Sequence, residues 1–326
     1  MTPPEDPPLP PPVGPVVVPT SPSPRPRWRA VVFLAIVGFY PLLLGLLGHW
    51  VQRGRESSGP ALPSDIQGLA LVCLESFGTF AALFALAWYF GRLRRDQIFW
   101  WPMRWWDWLW GGIWSVVVRF GAGAALLVGG ILFLAFRMVR DAATGAAGKG
   151  GTDAVKGLEQ VLQESRPRVE ALVDLSALAD PLYLLFACTV LSFITAGLRE
   201  ELWRAGFLGA FEELLPAGWR RRFGPRPADT VVSGTLRRMA LHLPGILFGA
   251  VVFGLGHLIQ GPGAVLLTGV VGLILGLVMV AHRSLWTAVL AHGFFDASSF
   301  LALGLVYRYR DVLKSLNPEI GKHLGI

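Results

Sequence analysis

Five side chains capable of acid–base chemistry stand inside apolar stretches of this sequence. Glu200 and Glu201 continue the apolar run that begins at Pro181, His257 follows Phe253 by four residues, and Asp296 follows His292 by four. Ionisable groups near the centre of a membrane-spanning helix cost about 2.5–3.5 kcal/mol each on insertion scales, so a cluster of them points to function. Arg204 is four residues after Glu200 and three after Glu201, and on a helix it can pair with either. One carboxylate could then be held by arginine while the other stays free for chemistry. His292 and Asp296 share a helix face, and the glycines at 254 and 256 let a neighbouring backbone approach His257 closely. A carboxylate and a histidine in an apolar surround can take a proton from water and return it. Preorganised donors can stabilise a developing oxyanion. The same groups allow a metal reading, in which His257, His292 and Glu200 hold a catalytic zinc. That reading needs ligands from three helices and lacks an HExxH motif. A proton or ion relay in a transporter is a third use of such residues, although no inverted repeat is visible. An inactive membrane scaffold is a fourth. Glu212 and Glu213 show no evident partner, and His242 and His282 fall near expected helix ends.

The elements that must position these residues are membrane helices. Hydrophobic residues make up 53% of the chain and charged ones 16%, more apolar surface than one soluble core absorbs. Runs of about 20 apolar residues fall near 29–49, 67–91, 110–136, 181–203, 239–259, 264–281 and 285–306. The fold class is therefore all-α, a polytopic membrane helical bundle with about seven to eight transmembrane helices. The segment from Pro181 to Pro216 reads as one long helix that places residue 200 near its middle.

Five regions follow from this pattern. Residues 1–27, rich in proline, form a disordered cytoplasmic tail. Residues 28–136 carry the N-terminal transmembrane helices, and 137–180 form a polar, amphipathic connection. Residues 181–306 are the core that holds the polar cluster, and 307–326 are a C-terminal tail. The tryptophans of residues 99–110 suit an anchor at the headgroup layer. The net charge of +7 comes from arginines that flank the spans, which argues against nucleic acid as partner and for a lipid bilayer. Arginines at 25, 27 and 29, at 92, 94, 95 and 104, and at 220–222 and 226 fit an internal N-terminus. Arg308, Arg310, Lys314 and Lys322 break the bias unless a further or re-entrant span exists. Cys73 and Cys188 lack CxxC spacing and read as packing residues. The chain is expected in a bacterial inner membrane, with its N-terminus cytoplasmic.

Glu-Glu followed by arginine, then Phe-x-x-x-His, then His-x-x-x-Asp or Asn, each on a successive apolar helix, resembles the CPBP family of intramembrane endopeptidases, which includes CAAX prenyl proteases. The resemblance covers residues 180–305, and the approach SerLeuTrpThrAlaValLeuAlaHis to the last motif adds to it. One position departs from the pattern. In GluGluLeuTrpArgAlaGlyPheLeu the arginine falls one residue early, and Ala205 takes its usual site, a rotation of about 100° on a helix. The resemblance implies hydrolysis of a peptide bond in a membrane-associated protein or peptide, prenylated or not. Glu200 is the implied general base, aided by His257. Glu201, His292 and Asp296 complete the catalytic set, with His292 and Asp296 positioning water or the oxyanion, and Arg204 and Phe253 in support. No cofactor is required by this route; zinc is the alternative.

Overall fold

The structure, a computed structural model, describes residues 26–53, 60–143, 172–224 and 226–316. Among these residues, seven helices are long and apolar enough to cross a membrane: Trp28–Trp50, Ile66–Gly91, Trp105–Leu132, Pro181–Leu214, Val231–Leu255, Pro262–His282 and Leu285–Arg308. They are called the first to seventh spans below. The protein is an all-helical polytopic membrane bundle. Most of the proline-rich tail, residues 144–171 of the amphipathic connection, and the last ten residues of the C-terminal tail lie outside the described residues. The described residues supply no eighth span, and after the seventh comes only the short helix Arg310–Leu316. The third span belongs to a helix that runs on to Ala143, past the boundary expected at 136.

Local chemistry sets the helix starts. Asp65, Asp180, Thr230 and Ser284 cap the second, fourth, fifth and seventh spans by accepting backbone N–H groups that the first helical turn leaves unpaired. The Thr230 cap starts the fifth span eight residues before the expected position, so Arg237 and Arg238 lie within the helix. His242 consequently lies inside the helix and is buried, which corrects the expectation of a helix-end histidine. The second and sixth spans end on Arg92 and Arg283 in the left-handed conformation that usually favours glycine.

Two helical irregularities shape the centre. The first span contains a π-helical turn at Leu34–Gly38, and the fourth is π-helical over Ala187–Leu198, immediately before the paired glutamates. In the fourth, Ser192 Oγ donates to the Ala187 carbonyl five residues back. Such wide turns concentrate at functional sites because they re-aim the side chains that follow. The bundle closes tightly where side chains are absent. A Cβ on Gly254 would stand 2.5 Å from the Val265 carbonyl, so the fifth and sixth spans cross almost backbone to backbone.

The tryptophan-rich segment does more than rest at a surface. Trp100, Trp101, Trp105, Trp106, Trp108 and Trp110 are exposed, as an interfacial anchor requires, but Phe99 is buried. Phe99 adopts φ 54, and its carbonyl accepts the Leu285 N–H at 3.1 Å. Asp107 accepts from Ser284 Oγ at 2.8 Å and Thr287 Oγ1 at 2.6 Å, and caps its own helix through the Arg104 N–H. These bonds hold the start of the seventh span against the third.

Candidate active site

Glu200 and Glu201 are successive residues on one helix, so their side chains diverge by about 100°. Glu201 turns inward and is fully buried, where it forms an ion pair with Arg204. Glu200 keeps 15% of its side chain accessible and is paired at 2.7 Å with Arg199, which also donates to Ser76 of the second span. The early arginine thus serves the second glutamate, and a second arginine serves the first. The expectation of one carboxylate held and one free is corrected, since each carboxylate has its own guanidinium. Helical spacing does not single out Arg199 as a partner, although its place directly before the pair is a usable signal.

Arg204 is held from several sides. Its guanidinium lies 4.7 Å from the centre of the Phe253 ring, a cation–π contact that partly offsets burial of the charge. Gly272 and Gly276 of the sixth span leave room for it, since added Cβ atoms would come within 3.5 Å and 3.7 Å of the arginine. Trp203 donates to the carbonyls of Val37 and Gly38 at 3.0 and 3.1 Å, which fixes the glutamate helix against the π-turn of the first span.

The seventh span delivers His292 to this pair. Its Nδ1 stands 2.9 Å from Glu201 Oε1, and because an ionised carboxylate only accepts, Nδ1 donates. Its Nε2 faces Glu200 Oε2 at 3.7 Å and Asp296 Oδ2 at 3.5 Å, too far for direct hydrogen bonds and suited to a bridging water. The approach depends on Gly197, whose added Cβ would stand 3.0 Å from the Val289 carbonyl. Five residues come together here, namely Glu200, Glu201, Arg204, His292 and Asp296.

His257 arrives from the turn between the fifth and sixth spans. Its Nδ1 lies 2.9 Å from the Phe253 carbonyl, which leaves Nε2 as its other polar edge. The ring packs on Phe253 and lies within electrostatic reach of Glu200 and His292. Burial holds the His257 imidazole below its ordinary range, against the opposing pull of Glu200. Phe253 also meets the His292 ring edge-on at 6.3 Å, so one aromatic ring spaces both histidines and the arginine.

Among the described residues, no group of three or more His, Cys, Asp or Glu side chains converges with the geometry of metal ligands. His292 already directs Nδ1 to Glu201, and His257 directs Nδ1 to a carbonyl. Each of these bonds leaves Nε2 as the remaining edge of its ring.

The remaining acidic pair has partners after all. Glu213 accepts from Gln97 at 2.6 Å, and Glu212 lies 3.8 Å from His242. His282 accepts from the Trp114 indole at 2.8 Å. All three contacts join neighbouring elements away from the glutamate–histidine cluster.

Comparison with known proteins agrees with this architecture. The family model for type II CAAX prenyl endopeptidase Rce1-like matches residues 181–298, the fourth span to the middle of the seventh. The match encloses every residue of the cluster and corresponds to the CPBP and CAAX protease resemblance of the motifs. No curated protein and no solved structure gives a significant match.

Proposed function

We propose that the protein is an intramembrane endopeptidase that hydrolyses a peptide bond in a membrane-associated substrate of the CAAX type. The single observation carrying this reading is the convergence of Glu200, His292 Nε2 and Asp296 at 3.5–3.7 Å, distances that one water can bridge. Glu200, the more accessible glutamate, takes a proton from that water as its oxygen attacks the scissile carbonyl carbon. His292, held in orientation by Glu201, presents its other nitrogen to the reacting atoms. His257 and Asp296 present acceptors that orient the attacking water in a site shielded from bulk solvent. The proton returns to the leaving amine as the C–N bond breaks, which yields one carboxylate and one amine. Glu201 and Arg204 are positioning residues, since both are buried and Glu201 Oε1 accepts from Arg204 Nη1 and from His292 Nδ1.

The arginine-rich ends of the spans fall on one face of the bundle. Arg27 and Arg29, Arg92 to Arg104, Arg220 to Arg222, and Arg283 share that face, which we assign to the cytoplasm by the positive-inside bias. Arg308, Arg310 and Lys314 lie on the opposite face. The membrane that suits this assignment is a bacterial inner membrane.

The test is cleavage of a tagged, lipid-anchored peptide by the purified protein in proteoliposomes. The parent cleaves it, and Glu200→Gln, equally monodisperse and helical, does not. Cleavage by Glu200→Gln at the parent rate sinks the assignment. Activity surviving exhaustive chelation, with no bound metal on elemental analysis, separates the glutamate route from a zinc route. Stoichiometric zinc lost on replacing His257 and His292 reverses the choice.

A further inference from the structure

Arg119 is the lone charged residue of the third span between Asp107 and Arg137. At 1.5 Å per residue it lies about 21 Å along the helix from Trp105, well inside a hydrocarbon layer of about 30 Å. A guanidinium at that depth is costly and calls for an anionic or strongly accepting partner. Part of that demand is met within the chain. Nη2 donates to the Phe295 carbonyl at 2.8 Å, to Ser298 Oγ at 2.6 Å and to Ser299 Oγ at 3.0 Å, while the guanidinium lies 4.8 Å from the Phe295 ring centre.

This anchoring engages one nitrogen. Nε and Nη1 have no hydrogen-bond partner among the described residues, and the residue is exposed on the bundle. The location connects it to the site. His292, Asp296 and Ser299 run along one face of the seventh span, so the Ser299 contact places Arg119 about one turn, roughly 5 Å along the axis, beyond Asp296. Arg119 is also close enough to act electrostatically on Asp296.

We propose that Arg119 binds the free terminal carboxylate of the substrate and so sets the distance between the chain end and the bond that is cut. The proposal rests on the hydrolase reading above and adds a specificity subsite to it. A CAAX box ends the chain three residues after its lipidated cysteine, so such a substrate brings a carboxylate into the membrane close to the cleavage point. An uncommitted guanidinium edge held beside Asp296 is the complementary group. Lipid phosphates lie at the headgroup layer, well away from a residue at this depth.

The experiment compares two lipid-anchored peptides of one sequence, ending in a free carboxylate or in an amide, with full-length protein in neutral-lipid vesicles and, in parallel, in anionic ones. The parent prefers the carboxylate by roughly ten- to hundredfold in kcat/KM, the range of a charge-assisted hydrogen bond. Arg119→Gln brings the ratio close to one, chiefly through KM, and Arg119→Lys keeps part of it. A parent that cleaves both peptides equally, or an Arg119→Gln variant that keeps the parent's ratio, overturns the anchor while leaving the hydrolase standing. If loss of activity in Arg119→Gln is equal for both peptides and seen only in anionic vesicles, the residue serves a lipid phosphate and the proposal falls. Binding of the two peptides to Glu200→Gln, followed by tryptophan fluorescence, keeps the two readings apart. A carboxylate preference in binding, without cleavage by the parent, supports the anchor and removes the hydrolase. Equal binding of both peptides removes the anchor.

Discussion

His292 Nδ1 lies 2.9 Å from Glu201 Oε1, whereas its Nε2 faces Glu200 Oε2 at 3.7 Å. One imidazole therefore bonds one member of the glutamate pair and faces the other through different nitrogens, which places the two carboxylates differently. Glu201 holds the orientation of the ring through Nδ1, and in the proposed reaction Glu200 shares its opposite edge.

Separate roles predict separable phenotypes. Glu200→Gln is expected to lower cleavage by about 10²–10⁴-fold, the range for a general base, with little change in the thermal unfolding midpoint in detergent. Glu201→Ala leaves the buried Arg204 unpaired and is expected to cost about 3–5 kcal/mol, so unfolding drops together with activity. Equal stability losses in the two variants contradict the division.

His257 gives a pH dependence with a definite sign. Because burial holds its folded-state pKa below the ordinary imidazole value of about 6.5, the unfolded chain takes up the proton first as pH falls. The contribution of neutral His257 to stability is therefore present above that value and is lost as pH falls from there toward the folded-state pKa. Thermal unfolding of the parent and of His257→Gln between pH 8 and pH 5 should show the parent losing stability relative to the variant on acidification. A gap that widens in favour of the parent toward low pH contradicts the assignment.

Close backbone crossings predict which glycines tolerate a methyl group. Gly254→Ala pushes a Cβ against the Val265 carbonyl and is expected to destabilise by about 1–3 kcal/mol, with loss of activity as His257 shifts. Gly78→Ala, where an added Cβ meets nothing within 4 Å, is expected to be neutral or to stabilise by roughly 0.5–1 kcal/mol through helix propensity. Unfolding midpoints of the two variants check the contrast.

Asp107 is expected to matter for stability without touching the reaction. Asp107→Ala removes an acceptor shared by Ser284, Thr287 and the Arg104 N–H, and should cost about 1–3 kcal/mol. At a temperature well below unfolding, the variant should retain most of its cleavage rate. A variant as stable as the parent shows that the cluster does not hold the start of the seventh span.

The sequence by itself determined the solvent, the helical class and the polar cluster. Its runs of apolar residues and flanking arginines located the seven spans to within a few residues, except at the end of the fourth, which runs on from 203 to Leu214, and where the Thr230 cap drew the fifth helix outward through Arg237 and Arg238. Glu200, His257, His292 and Asp296 stood out because a charge in hydrocarbon is costly wherever it falls in the chain. Arg119 carried the same signal, as a lone charge in an apolar run. Its use depends on Ser298 and Ser299, which are distant in sequence, and spacing does not reveal that contact.

Pairing was decided only by the tertiary structure. Arg204 can reach either glutamate by helical spacing, and it meets Glu201 because Gly272, Gly276 and Phe253 form its surroundings on that side, while Arg199 and Ser76 occupy the other. Local periodicity fixes which face of a helix a residue occupies. Which neighbour that face meets is set by how separate helices cross, through contacts between residues far apart in the chain.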